Sequence, residues 1–314
     1  MMSKIPVVAV VGPTASGKTD LAAELCLRLG GEVISADSMQ IYKGMDIATA
    51  KPTAEEMRGV PHHLIDFLDP REDFSVARYC ELARPLIESI TERGLLPVVA
   101  GGTGLYIDSL LGNVNFVETQ ADPALRAQLQ AQLDSEGLDA MLELLRSFDP
   151  ESAERLAVGR NPQRVIRAIE VYRATGVTQT GLNEMQTSAP SPYKAVKLGL
   201  RADDREYLYA RIDRRVDAML GAGLLDEARR FWSSDLGSTA AAAIGYKELL
   251  PYLRGELPLD DCVERLKRAT RRYAKRQLTW FRRDPDIHWF SIDNMTFDDI
   301  ACEAERIVKE SIYE

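Results

Sequence analysis

The stretch VVAVVGPTASGKTDLAAEL, Val7–Leu25, joins an apolar run to a helical pattern through a turn bounded by glycines. Gly12, Gly17, Lys18 and Thr19 satisfy GxxxxGK[ST], with Val7–Val11 as the strand that enters and Thr19–Leu29 as the helix that leaves. In that context the loop amides can cradle phosphate oxygens, and the helix N-terminus adds partial positive charge. Lys18 supplies a full charge, and the Thr19 hydroxyl can ligate Mg²⁺. Gly12, Pro13, Thr14, Ala15, Ser16, Gly17, Lys18 and Thr19 are therefore candidate phosphate-binding residues. The loop does not say whose phosphates they are: an ATPase, a kinase, a GTPase or an enzyme with a diphosphate leaving group could use it.

Outward from this loop, short apolar runs at Glu32–Ser35, Leu64–Phe67 and Leu96–Ala100 alternate with helical patterns, Ser75–Arg93 being the clearest. Continuous apolar strands separated by helices predict an α/β fold, a parallel sheet covered by helices on both faces. From Glu118 to Pro192 the strand signal disappears, and DPALRAQLQAQL, LDAMLELLRSF and NPQRVIRAIEVYRAT carry the spacing of amphipathic helices. YKAVKLGL, Tyr193–Leu200, reads as a returning strand and IHWFSI, Ile287–Ile292, as a last one. The expected organisation is a phosphate-loop core over 1–117 and 193–314, interrupted by a helical insertion domain over 118–192.

The chain has 314 residues, 45% hydrophobic and 28% charged, the composition of an ordinary globular protein. Cys26, Cys80, Cys262 and Cys302 lie far apart with no CxxC pair, which favours neither a zinc site nor a disulfide framework and fits a reducing cytoplasm. The N-terminal residues lack a signal-peptide pattern, and no run reaches the roughly 18 apolar residues of a membrane span, so no membrane is expected. Nothing demands more than one copy, and a monomer is expected.

A net charge of -9 argues against a protein that coats itself in nucleic acid. Yet Val263–Arg283 carries nine Lys/Arg against one Glu, a local +8. Val263, Leu266, Tyr273 and Trp280 can face a core at helical spacing, while Arg265, Arg268, Arg272, Lys275 and Arg276 fall on another side. Such a ridge can follow a phosphate backbone or be a solvated helix face.

An ATPase built on this loop needs a carboxylate at the end of a second apolar strand. LLPVVAGGTGLY ends instead in Gly101, Gly102, Thr103 and Gly104. Asp37 in EVISADSMQIY and Asp66 in HHLIDF do stand at strand ends. Neighbouring strand ends face one crevice in an open α/β sheet, which makes Asp37 a candidate site carboxylate, although Asp equally suits a turn or a helix N-cap. His62 and His63 have no third ligand at metal-site spacing and read as structural.

Seven runs then match one family in its own order: GPTASGKT (12–19), ISADSMQIYKGMDIATAKP (34–52), VPHHLIDFLDP (60–70), VVAGGTGLYI (98–107), NPQRVIRAIEVY (161–172), AIGYKEL (243–249) and AKRQLTWFRRD (274–284). Together they closely resemble the bacterial tRNA dimethylallyltransferases, or tRNA isopentenyltransferases, over most of the chain. One departure is Ala48, where the family usually has glycine. The resemblance implies transfer of a dimethylallyl group from dimethylallyl diphosphate to N6 of the adenosine 3′-adjacent to the anticodon, with diphosphate released. It implies Asp37 as the base that orients and deprotonates the amine, Thr103 as its neighbour, and the phosphate loop with Arg211 and a Thr19-bound Mg²⁺ on the diphosphate. For the tRNA anticodon stem-loop it implies contacts from Asp37, Ser38, Met39, Gln40 and Thr103, and from Arg126, Asn161, Pro162, Gln163, Arg164, Val165 and Arg167 in the insert. Gly245, Tyr246, Lys275, Arg276, Gln277 and Arg282 complete that set. The alternative is a nucleoside or small-molecule kinase using ATP at the same loop with Asp37 as base; a third reading is an RNA-binding ATPase.

Overall fold

The computed structural model describes residues 4–114, 122–186, 190–233 and 236–313. The apolar run Ile5–Val11 forms β1, with Val7–Val11 buried. β2 is Gly31–Ser35, β3 His62–His63, β4 Leu96–Gly101, β5 Tyr193–Arg201 and β6 Ile287–Ser291. Among the described residues these make one six-stranded sheet in the order β3-β2-β4-β1-β5-β6, and every pairing is parallel. Val8 of β1 is level with Val98 of β4 on one side and Val196 of β5 on the other.

Helices cover both faces, as the unbroken apolar strands require. Val8 and Val10 join Val33, Val98 and Leu198 in a core closed by Leu21 and Leu25 of the helix Lys18–Leu29 and by Ile300, Ala304 and Val308 of the helix Phe297–Tyr313. Strand alternation turns Val7, Ala9 and Val11 the other way, and they are just as buried. The helix Val76–Glu92, capped by the Ser75 side chain, packs on β1, β2 and β4 with Tyr79, Ala83 and Ile87 buried.

All strands being parallel, their C-terminal ends open on one edge of the sheet. The phosphate loop leaves β1 there, Ala36–Gln40 leaves β2, and Gly102–Thr103 leaves β4. Gly12 is fixed by this crowding: its φ is +146°, and a Cβ would stand 2.6 Å from the Leu200 carbonyl oxygen at the end of β5.

The structure corrects one expected strand. Leu64–Phe67 is not in the sheet, and the edge strand β3 is only His62–His63. Leu64 and Asp66 adopt left-handed φ values of 58° and 55°, which turn the chain away from β2. The amides of Asp66, Phe67 and Leu68 donate instead to the carbonyls of Gln40 and Ile41.

The chain divides into two compact units, Met1–Leu111 with Ser191–Glu314, and Gly112–Pro190. The expected first boundary at 117/118 lies outside the described residues. The second unit is helical among its described residues: Pro123–Arg146, bent at Gly137, then Pro150–Gly159, Pro162–Thr175 and Gln179–Gln186. Three of these starts are written alike in the sequence, as Asp-Pro, Asp-Pro and Asn-Pro. Asp122, Asp149 and Asn161 accept first-turn amides with their side chains, and the proline that follows needs no amide partner. The unit's core gathers Leu129, Met141, Leu145, Val165, Ile166 and Ile169.

Candidate active site

The phosphate loop ends at Gly17, whose left-handed φ of 94° starts the helix Lys18–Leu29 without a side-chain cap. First-turn amides of that helix are thus free to meet an anion. Lys18 Nζ donates to the Pro13 carbonyl at 2.6 Å and Ser16 Oγ to the same oxygen at 2.8 Å, which draws the loop around its own centre. Burial, and then the Arg215 guanidinium, hold the Lys18 ammonium down to about 7, while Asp37 opposes them. A lysine so placed gains from any diphosphate that restores its charge.

Two long-range contacts fix the loop from outside. Gln277 is buried, accepts from the Thr14 amide at 2.8 Å and donates to the Gly102 carbonyl at 3.0 Å, which ties the loop to the turn after β4. Arg211 Nε donates to the Ala15 carbonyl at 2.8 Å from the helix Arg205–Gly221.

Asp37 Oδ1 accepts the amides of Met39 at 2.9 Å and Gln40 at 3.4 Å. The turn role open in the sequence is therefore real, and it holds the carboxylate beside the loop: Asp37 faces Lys18, Arg215 and Tyr273. Thr103 Oγ1 accepts the Ser38 amide at 3.1 Å and bonds the Ser38 hydroxyl, bracing the Asp37 loop from behind.

These parts enclose one cleft of about 950 Å³ in the first unit. Of the sequence candidates it brings together Thr14, Ala15, Gly17, Lys18, Thr19 and Arg211 on one wall, and Asp37, Ser38, Met39, Gln40 and Gly245 on another, with Arg276 and Gln277 also lining it. Gly12, Pro13 and Ser16 are buried beneath the loop. Tyr246 is fully buried, with its hydroxyl on Glu227, so its side chain offers no surface. Lys275 and Arg282 are exposed on and just beyond the helix Leu259–Phe281. Arg265, Arg268 and Arg272 are exposed along the same helix, whose buried side is Cys262, Leu266, Ala274, Gln277 and Phe281.

The insert candidates all lie in the second unit. Asn161 caps the helix Pro162–Thr175, while Gln163 and Arg164 are exposed on its first turn. Val165 belongs to that unit's core and is fully buried. Arg126 reaches Gln163 at 3.5 Å and shares the buried Glu170 carboxylate with Arg167, at 3.5 and 2.8 Å.

Two cleft residues and the support of a third wall escaped the sequence reading. Arg215 stands one helical turn after Arg211 on the same face, a spacing that could have found it. Burial pulls its guanidinium below the usual value, and Glu56, Asp37 and Asp20 hold it up. Tyr273, read as a core residue, also lines the cleft; burial, then Asp37, push its phenol well above the usual range. The third wall is the turn Asp46–Ala50, held by Glu227, and nothing local announces that acid.

The chain matches a family model described as IPP transferase over residues 40–284 and one described as isopentenyl transferase over residues 5–70. It is 46% identical over 312 residues to a tRNA dimethylallyltransferase of Halalkalibacterium halodurans, covering 99% of each chain. Among solved structures it is similar to the full-length tRNA isopentenylpyrophosphate transferase from Bacillus halodurans, with a TM-score of 0.73, 45% identity and 98% of each chain covered. A eukaryotic dimethylallyltransferase acting on tRNA superposes with a TM-score of 0.80 at 30% identity, over 98% of this chain and 79% of that one.

Proposed function

The chain belongs to the IPP transferase family, and on that premise we propose that it transfers a dimethylallyl group from dimethylallyl diphosphate to N6 of the adenosine 3′-adjacent to the anticodon of a tRNA. The observation that carries this reading is a cleft that the phosphate loop, Arg211, Arg215 and the Asp37 carboxylate line together. An adenine N6 amine is a weak nucleophile, because its lone pair is delocalised into the ring. Asp37 orients that amine and takes the proton it sheds as the new N–C bond forms. The allylic C–O bond breaks, and both its electrons leave with the diphosphate. Growing negative charge on that leaving group meets the loop amides, Lys18, Arg211 and Arg215, donors already aimed before reaction.

Thr19 lines the cleft, and among the described residues there is no cluster of three or more His, Cys, Asp or Glu able to hold a metal. A lone hydroxyl of this kind fits Mg²⁺ held mostly by substrate phosphate oxygens and water, with Thr19 as its protein ligand. When bound, the ion would supply charge neutralisation at the diphosphate.

The anticodon arm is read as meeting the exposed Lys275 and Arg282 and, in the helical unit, Arg126, Gln163 and Arg164. A target in an anticodon loop is already single-stranded, which lowers the cost of bringing its base into a cleft. Four free cysteines suit the cytoplasm. No helix of the described residues is long and apolar enough to cross a membrane.

The test is an incubation of the protein with unmodified tRNA, dimethylallyl diphosphate and Mg²⁺, followed by mass analysis of digested nucleosides. Prenylated adenosine is the expected product, formed without any nucleotide; its absence, or phosphoryl transfer from ATP instead, overturns the reading.

A further inference from the structure

Glu227 sits on the helix Leu224–Trp232, is 3% exposed, and lies some 180 residues along the chain from the turn it holds. Its carboxylate accepts three consecutive amides, Asp46 at 3.0 Å, Ile47 at 2.8 Å and Ala48 at 2.9 Å. The Tyr246 hydroxyl donates to the same carboxylate at 2.8 Å. These four donors satisfy a buried charge that would otherwise be costly.

The amides belong to a turn that forms one wall of the cleft. On its far side the carbonyls of Thr49 and Ala50 accept from Gln40 Nε2 at 3.3 and 3.0 Å. The backbone of Gln40 belongs to the loop that wraps Asp37 Oδ1. An unbroken chain of hydrogen bonds and backbone thus runs from Glu227 through the turn and Gln40 to Asp37. The Asp46–Ala50 turn lines the cleft and could satisfy its amides with water. A buried carboxylate instead holds three of them in one place.

We propose that Glu227 is a positioning residue for the acceptor: it fixes the wall against which the target adenosine is placed and, through Gln40, the loop that presents Asp37. This rests on the prenyl-transfer reading and adds a determinant of acceptor placement to it. The phosphate loop is held by other groups, Gln277 and Arg211, so donor binding does not pass through Glu227.

Steady-state prenyl transfer by Glu227→Gln, Glu227→Asp and Tyr246→Phe, beside the unaltered protein, tests this, with dimethylallyl diphosphate affinity measured separately by direct binding. In Glu227→Gln an amide group faces backbone donors. KM for tRNA is expected to rise about tenfold and kcat to fall by a similar factor, as a displacement on the order of 1 Å can produce, with donor affinity unchanged. Glu227→Asp recovers part of both losses, and Tyr246→Phe, which keeps the carboxylate, shifts both in the same direction by less. A merely structural role lowers kcat with the folded fraction and leaves KM for tRNA where it was; that outcome overturns the proposal. If Glu227→Gln does not fold, an unchanged KM for tRNA in Tyr246→Phe does so as well. An unaltered protein that makes no prenylated adenosine overturns the prenyl-transfer reading and this proposal together, whereas product formation with unchanged KM values overturns the proposal alone.

Discussion

The wall that carries the phosphate loop and the wall that carries Asp37 face the same cleft, yet their parts are gathered over different distances along the chain. The donor wall is mainly one stretch, Gly12–Thr19, with its amides at a helix start and its cation beside them. Its outside supports, Gln277 and Arg211, brace the loop through single hydrogen bonds to Thr14 and Ala15. The acceptor wall has no such nucleus. Ser38 leans on Thr103, Gln40 on the carbonyls of Thr49 and Ala50, and the Asp46–Ala48 amides on Glu227, some 180 residues away. A site that binds phosphate can be local because backbone amides are everywhere. A site that must present one carboxylate to one amine needs directions from several elements at once.

The largest effect that can break this comparison is at Asp37. Asp37→Asn, whose side-chain oxygen can still accept the Met39 and Gln40 amides, is expected to bind tRNA and donor as before and to lose about 10²- to 10⁴-fold in turnover, the usual worth of general-base help. Near-normal turnover would reduce Asp37 to a turn residue and leave the acceptor wall without a chemical role.

Lys18→Met tests the donor wall. Loss of a charged hydrogen-bonding partner is expected to weaken diphosphate donor binding by about ten- to a hundredfold. The free protein should, in contrast, become more stable. Lys18 is held down to about 7 in the fold against 10.5 unfolded. The unfolded chain therefore binds that proton more tightly. The resulting penalty is full below pH 7 and shrinks as pH rises toward 10.5. Thermal unfolding of the two proteins at pH 6.5 and pH 9.5 reads this directly, and a gap that widens with pH would contradict it.

Gly245 marks where the acceptor wall meets its support. Its φ is +115°, and a Cβ there would stand 2.9 Å from the Ala48 Cβ. Gly245→Ala should raise KM for tRNA by about tenfold, in keeping with a small displacement of the turn. Adding Ala48→Gly removes the steric part and leaves the backbone strain, so it should restore some of the loss. No recovery in the double variant would show that strain alone accounts for it.

The smallest effect is expected on the exposed ridge. Lys275→Ala with Arg282→Ala should weaken tRNA binding a few-fold at low salt and flatten its dependence on log salt by about one to two units, without touching donor affinity. An unchanged slope would return these side chains to the solvated surface.

The same contrast explains what could be read from the sequence. β1, β2 and β4 announced themselves as apolar runs bounded by turns, β5 and β6 as a returning and a last strand, and the α/β class followed. Leu64–Phe67 misled because apolarity alone cannot show a left-handed Leu64 or amides already taken by Gln40 and Ile41. Within the cleft, the contiguous loop and the DSMQIYKGMDIATAKP run carried their own signal. Glu227 carried none: in LLDEARRFW it resembles any acid in a first helical turn, and only the fold reveals that three amides and a phenol converge on it. Gln277 and Tyr246 were singled out with their neighbours, but as RNA contacts; their buried side chains brace the cleft from within.

The position of β1 also governs the order in which the chain can be completed. β1 needs β4 on one side and β5 on the other, and the whole helical unit separates the latter pair. A chain growing from its N-terminus holds β1 as a bare apolar edge until Tyr193–Arg201 has been made. The helices of 122–186, three of whose starts are set by neighbouring Asp, Asn and Pro residues, draw on low-contact-order pairings available at once. The insert is thus placed to mature early, while the centre of the sheet waits for β5 and its far edge for β6.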